Sequence, residues 1–76
     1  MKELITFIAS RLVDHPDEIT VSLQEDDDKL VIELRVARSD FGKVIGKQGR
    51  TARAMRAVLA SAHPADRKRP RLEIVD

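Results

Sequence analysis

Apolar residues in the first part of the chain fall at Leu4, Ile5, Ile8, Ala9 and Leu12, the spacing of one face of an α-helix, and His15-Pro16 stops the pattern. This predicts a helix over residues 2–14. The period then changes to two. Ile19, Val21 and Leu23 alternate with Thr20, Ser22 and Gln24, and Leu30, Ile32, Leu34 and Val36 alternate with Val31, Glu33 and Arg35, as in half-buried strands. Glu25-Asp26-Asp27-Asp28-Lys29 connects them as a hairpin; read as a calcium loop it lacks the central glycine and the correctly spaced terminal glutamate.

Helical spacing resumes after Ser39 and Asp40, either of which can cap a short second helix over 40–45. A third helix is expected over 50–62, with Ala52, Met55, Val58 or Leu59, and Ala62 on one face and His63-Pro64 closing it. Its many alanines favour helix strongly. Arg67-Lys68-Arg69-Pro70 reads as a basic loop, and Leu72 and Ile74 alternate in a last strand over 71–75. The expected fold is α+β, a single domain over 1–76 in the order αββααβ, with a three-stranded sheet carrying the helices on one face.

Composition narrows the function classes. A chain of 76 residues buries only about 60% of its unfolded surface, enough for one core and no second lobe, so a deep catalytic cleft is not expected. There are no cysteines, hence neither a disulfide framework nor a thiolate metal site, and no cofactor is implied. His15 and His63 each precede a proline and read as helix-boundary residues rather than metal ligands. The apolar run Leu4 to Ala9 is broken by Thr6 and is far short of the roughly 20 residues that span a bilayer, so a cytoplasmic protein is expected.

The formal net charge of +1 conceals an asymmetry. Residues 1–34 carry three cations against nine acids, whereas residues 35–56 carry seven cations against Asp40 alone. Such a block points to an anionic partner. It contains Gly42-Lys43-Val44-Ile45-Gly46-Lys47-Gln48-Gly49-Arg50, a Gly-x-x-Gly loop between two helical segments. Gly46 and Gly49 lack Cβ, so a polyanion can approach the main chain, and the N–H groups opening the next helix face it. A Walker A loop is excluded, because three residues rather than four separate Gly42 from Gly46-Lys47 and Gln48 follows. The dinucleotide fingerprint is excluded by the spacing of the three glycines. A helix-turn-helix, with Arg50, Arg53 and Arg56 in a major groove, remains a rival, weakened by the shortness of its first helix and by the second glycine.

Gly42-x-x-Ile45-Gly46-Lys47-Gln48-Gly49-x-x-Ala52 within an αββααβ order resembles a KH domain of the type II arrangement. With Val13-Asp14-His15-Pro16-Asp17-Glu18 and Val44 to Arg50, the chain resembles over essentially its whole length the small stand-alone bacterial KH-domain RNA-binding proteins of the KhpA family. The resemblance implies RNA binding, as an RNA chaperone or post-transcriptional regulator, and not catalysis. It further implies a homodimer and pairing with a larger multidomain KH protein of the KhpB (Jag) type.

KH modules clamp about four nucleotides of a single strand at this loop. Gly46, Lys47, Gln48 and Gly49 are then expected to hold the sugar-phosphate backbone, with Lys43, Arg50 and Arg53 lining the approaches and Ile45, Ala52 and Val36 offering an apolar floor to bases or simply packing in the core. Phe7 and Phe41 are the only aromatics, so stacking worth ~1 to 3 kcal/mol per base is largely missing and binding should be mainly electrostatic. Neutralising about four phosphates gives a salt slope near −2.8, or roughly 50-fold weaker binding between 50 and 200 mM salt. The acidic hairpin would repel phosphate if it bordered the groove. A second expectation, of another class, is a protein-interaction module in which the alanine-rich third helix serves homo- or heterodimerisation.

Overall fold

The first helix, α1 (Lys2–Ser10), ends before its apolar spacing does. Competition for backbone donors explains the difference. Arg11 and Leu12 donate to the carbonyls of Ile8 and Ala9 at 3.2 and 3.0 Å, tightening the last turn. The N–H groups of Asp14 and His15 then go to the carboxylate of Asp40, at 3.1 and 3.0 Å, instead of back along the helix. Pro16 holds His15 outside the helical region (φ −122°, ψ 69°), and a short 3-10 turn, Pro16–Glu18, leads into the sheet.

The computed structural model describes residues 2–27, 29–62 and 70–76. Strands β1 (Thr20–Glu25) and β2 (Leu30–Arg35) pair antiparallel, Val21 opposite Leu34 and Leu23 opposite Ile32. At the hairpin Asp26 N–H donates to the Lys29 carbonyl at 2.9 Å, and Lys29 N–H to Asp26 Oδ1 at 2.7 Å. Strand β3 (Pro70–Val75) pairs parallel with β2, which makes β2 the central strand. A parallel pair requires a crossover. Two helices supply it: α2 (Phe41–Ile45) and α3 (Arg50–Ala62), with the glycine loop between them. The expected order αββααβ and the α+β class are those of the structure. The expected stop at His63-Pro64, the basic residues 67–69 and Asp28 lie outside the described residues.

One face of the sheet is apolar and covered. Ile5, Ala9, Val21, Ile32, Leu34, Val36, Val44, Met55, Leu59 and Leu72 form a continuous core, whereas Thr20, Ser22, Gln24, Arg35, Arg71 and Glu73 stand exposed on the other face or at its edges. Each fully buried Leu or Ile contributes about 1.5–3 kcal/mol relative to exposure. The third helix could have buried Val58 or Leu59; it buries Leu59 (1% exposed) and leaves Val58 at 40%. Leu23 departs from the alternation. It is 49% exposed although its partner Ile32 is fully buried, because β1 is an edge strand and the helices leave that part of the edge open.

Candidate nucleic-acid interface

Gly46 ends α2 with φ 79° and ψ 170°, a conformation essentially restricted to glycine, while its N–H closes the helix on the Gly42 carbonyl at 2.9 Å. Gln48 (φ 57°, ψ 25°) and Gly49 (φ 73°) are left-handed, and Gly49 N–H donates to the Gly46 carbonyl at 3.0 Å. Three of the loop's four residues therefore have positive φ. The chain reverses sharply, and Lys47 and Gln48 are carried outward, exposed, where α3 begins.

The two glycines do different work. A Cβ on Gly46 would overlap Thr51, 2.7 Å from its Cβ and 2.9 Å from its backbone N, so glycine here lets two backbone segments touch. A Cβ on Gly49 would meet nothing within 4 Å, so the open space over the loop lies there. The sequence gives both glycines one reason, close approach by a polyanion; the structure adds a second at Gly46, its contact with Thr51.

The cations flanking the loop are held by the protein. Arg50 donates from Nη2 to Gln48 Oε1 at 3.2 Å, and Arg53 from Nη2 to the Gln48 carbonyl at 2.9 Å. Lys43 is ion-paired with Asp14 and lies 3.6 Å from Asp40 Oδ1. Its ammonium pKa is raised by the hydrogen bond to Asp14, against desolvation, with the charges of both carboxylates adding to the rise. Asp40, with Ser39 one of the two residues expected to cap α2, occupies the cap position but makes no side-chain capping bond. Its buried carboxylate faces the turn after α1 instead; burial pushes its pKa up, but the N–H donors of Asp14 and His15 and the charges of His15 and Lys43 outweigh that and hold it below 3.8. Of the expected apolar floor, Val36 (3% exposed) and Ala52 (2%) are core, while Ile45 is only partly buried.

Beside α3, along the free edge of β3, runs an open cleft of about 750 Å³ lined by Lys29, Leu30, Arg56 and residues 70–75. Arg56 leans into it and donates from Nε and Nη2 to the Leu72 carbonyl, both at 3.4 Å. The hairpin does border this cleft, through Lys29 rather than its acids. Sequence reading missed Lys29, Arg56 and Arg71 as neighbours, since only the parallel pairing of β3 with β2 brings residues 29, 56 and 71 together. The helix-turn-helix alternative finds a first helix of only five residues and a second whose arginines face the loop and the sheet edge.

Comparison with known proteins agrees with this architecture. Residues 2–74 match the family described as the KhpA/KhpB KH domain. The RNA-binding protein KhpA of Halalkalibacterium halodurans is 53% identical over 76 residues, all of both chains. That of Bacillus subtilis is 47% identical over 76 residues, 100% of this chain and 94% of the relative. That of Clostridium acetobutylicum is 48% identical over 75 residues, 99% of this chain and 100% of the relative.

Proposed function

The chain belongs to the KhpA/KhpB family of KH domains, a non-enzymatic one, and from that premise we propose that it binds single-stranded RNA at the Gly46–Gly49 loop. The observation that carries the reading is the loop itself. Its left-handed turn presents Lys47 and Gln48 outward, leaves the space over Gly49 open, and sits at the start of a helix of 13 residues whose positive dipole end favours phosphate. Lys47 and Arg50 meet the sugar-phosphate backbone together with Gln48 and the loop amides. Lys43 and Arg53 flank the site, and Ile45 gives it an apolar margin. Bases splayed from the strand extend toward the cleft of Arg56 and β3, where the partly buried Leu30 and Ile74 offer apolar contact and the strand edge offers main-chain groups.

The cellular role that follows is that of a cytoplasmic RNA chaperone or post-transcriptional regulator of modest intrinsic affinity. A second RNA surface, from another copy or from a KhpB-type partner, would raise the avidity. Among the described residues no helix is long and apolar enough to cross a membrane. The exposed flank of α3, with Val58 at 40% and exposed Ala54, supports self-association as a companion property.

The test is a competition assay with Lys47 and Gln48 both changed to Asp. Single-stranded RNA should displace a labelled single strand from the wild type where duplex DNA does not, and the folded double variant should bind neither. Undiminished RNA binding by that variant would remove the loop from the mechanism. Preferential displacement by duplex DNA would reinstate the helix-turn-helix.

A further inference from the structure

Gln48 is the one non-glycine residue with positive φ among the described residues. In a left-handed conformation its Cβ crowds the following carbonyl, a penalty that would leave the unsupported loop in this shape in only about one molecule in 5 to 30. Two arginines of α3 converge on this residue. Arg50 takes the side-chain oxygen at 3.2 Å, and Arg53 takes the main-chain carbonyl at 2.9 Å, in a charge-assisted bond. The two contacts differ in consequence. The glutamine side chain can turn without altering the loop, but the direction of the carbonyl is set by φ and ψ at Gln48, so a bond to it selects the backbone conformation. Arg53 is also well anchored, since its neighbours Ala52 and Met55 are each 2% exposed and fix α3 against the sheet.

We infer that Arg53 is a positioning residue: its guanidinium latches the Gln48 carbonyl and holds the Gly46–Gly49 loop in the left-handed shape that receives the RNA backbone. The inference rests on the single-strand reading of the loop. It departs from the plain reading of Arg53 as one more phosphate contact, and the two give different salt dependences. A lost phosphate contact lowers both the affinity and the salt slope, whereas a lost latch lowers the population of competent loops by the same factor at every salt concentration.

The experiment titrates a short fluorescein-labelled single-stranded RNA of mixed sequence against full-length protein at 50 and 200 mM salt. The wild type should weaken roughly 50-fold between the two, for about four phosphates. Arg53→Ala should lose about 5- to 30-fold at both concentrations and keep the roughly 50-fold ratio. A ratio reduced to roughly 20-fold, the value for one phosphate fewer, overturns the latch. Glycine adopts the left-handed conformation without penalty, so in a Gln48→Gly background Arg53→Ala should cost only about twofold. An equal loss in both backgrounds also overturns it. A readout without RNA separates this inference from the function it rests on: exchange of Gly49 N–H, bonded to the Gly46 carbonyl, should speed up about 5- to 30-fold in Arg53→Ala while the amides of β2 stay protected. Unchanged exchange sinks the latch whether or not RNA binds, and a wild type with no affinity for the RNA sinks the RNA reading alone.

Discussion

Alanine at Gly46 should bring the protein to the edge of unfolding, while alanine at Gly49 should leave it folded, although the two positions are equivalent in the Gly-x-x-Gly pattern. At Gly46 two costs combine. The backbone conformation, φ 79° and ψ 170°, costs a non-glycine residue about 1–3 kcal/mol. The new methyl would also stand 2.7 Å from Thr51 Cβ and 2.9 Å from Thr51 N, and Oγ1 is nearer still. A backbone nitrogen at the start of α3 cannot turn aside as a flexible side chain can, so an overpacking cost of about 1–3 kcal/mol applies as well. The total is about 2–6 kcal/mol. At Gly49 the φ of 73° is strained for alanine but the space is open, which leaves only the left-handed penalty of about 1–2 kcal/mol. Against about 4–11 kcal/mol for a chain of this length, the second loss is tolerable and the first takes up a large share.

Urea denaturation followed by far-UV circular dichroism measures the difference. With a slope of about 1 kcal/mol per molar, expected of a small domain, the Gly46→Ala midpoint should lie about 1 M or more below that of Gly49→Ala. Adding Thr51→Ala removes Oγ1 but leaves Cβ and N in place, so it should recover only part of the loss. Equal midpoints for the two alanine variants would refute the argument from the Thr51 contact. Full recovery in Gly46→Ala/Thr51→Ala would refute the argument from backbone conformation.

Leu59→Ala should cost about 2–5 kcal/mol because Leu59 is in the core at 1% exposure, whereas Val58→Ala, at 40%, should cost much less; comparable urea midpoints would mean that α3 sits differently on the sheet. The carboxyl of Asp40 titrates below 3.8 in the folded protein, so its contribution is complete above that value and is lost as the pH falls through the folded pKa. Asp40→Asn should therefore be less stable than wild type at neutral pH and lose less on acidification. Parallel pH profiles for the two, read as urea midpoints, would dismiss the carboxylate as the source. The raised ammonium of Lys43 acts at the other end: its contribution is complete below 10.5 and is lost as the pH rises through its folded value, a loss that Lys43→Met should not show.

Periodicity was a good guide wherever burial alone decides structure. The alanine-rich helix runs over Arg50–Ala62 as its spacing predicts, and both hairpin strands lie within a residue of the alternation. It misled where a distant partner intervenes. The run from Leu4 to Leu12 continues in helical register, yet the last turn tightens at Arg11 and Leu12, and the donors of Asp14 and His15 go to a carboxylate 26 residues from Asp14 rather than back along the helix. For the same reason Asp40 reads as a cap, since nothing local distinguishes an aspartate that caps its own helix from one turned toward another segment. The loop between the two helices was legible because its glycines interrupt a helical pattern locally; its run of positive φ, with Gln48 included, was not. The cleft was not, because residues 29, 56 and 71 meet only through the parallel crossover.

Charge shows most clearly what a one-dimensional reading loses. The block from Lys43 to Arg56 holds five cations that look alike in sequence, but they differ in what must be given up before they can turn to a ligand. Lys47 is exposed, and its ammonium has no protein partner among the described residues. Arg50 is bonded to an exposed glutamine side chain at 3.2 Å, which can be exchanged for RNA with water replacing it. The Arg56 bonds to the Leu72 carbonyl, at 3.4 Å, are long and correspondingly weak. Lys43 and Arg53 are different. Withdrawing Lys43 takes a counter-charge from a carboxylate that is 0% exposed, and withdrawing Arg53 frees the carbonyl of a residue in a conformation it would otherwise leave. Lys47, Arg50 and Arg56 therefore have least to give up in turning to a ligand, whereas Lys43 braces the buried carboxylate of Asp40 and Arg53 braces the loop.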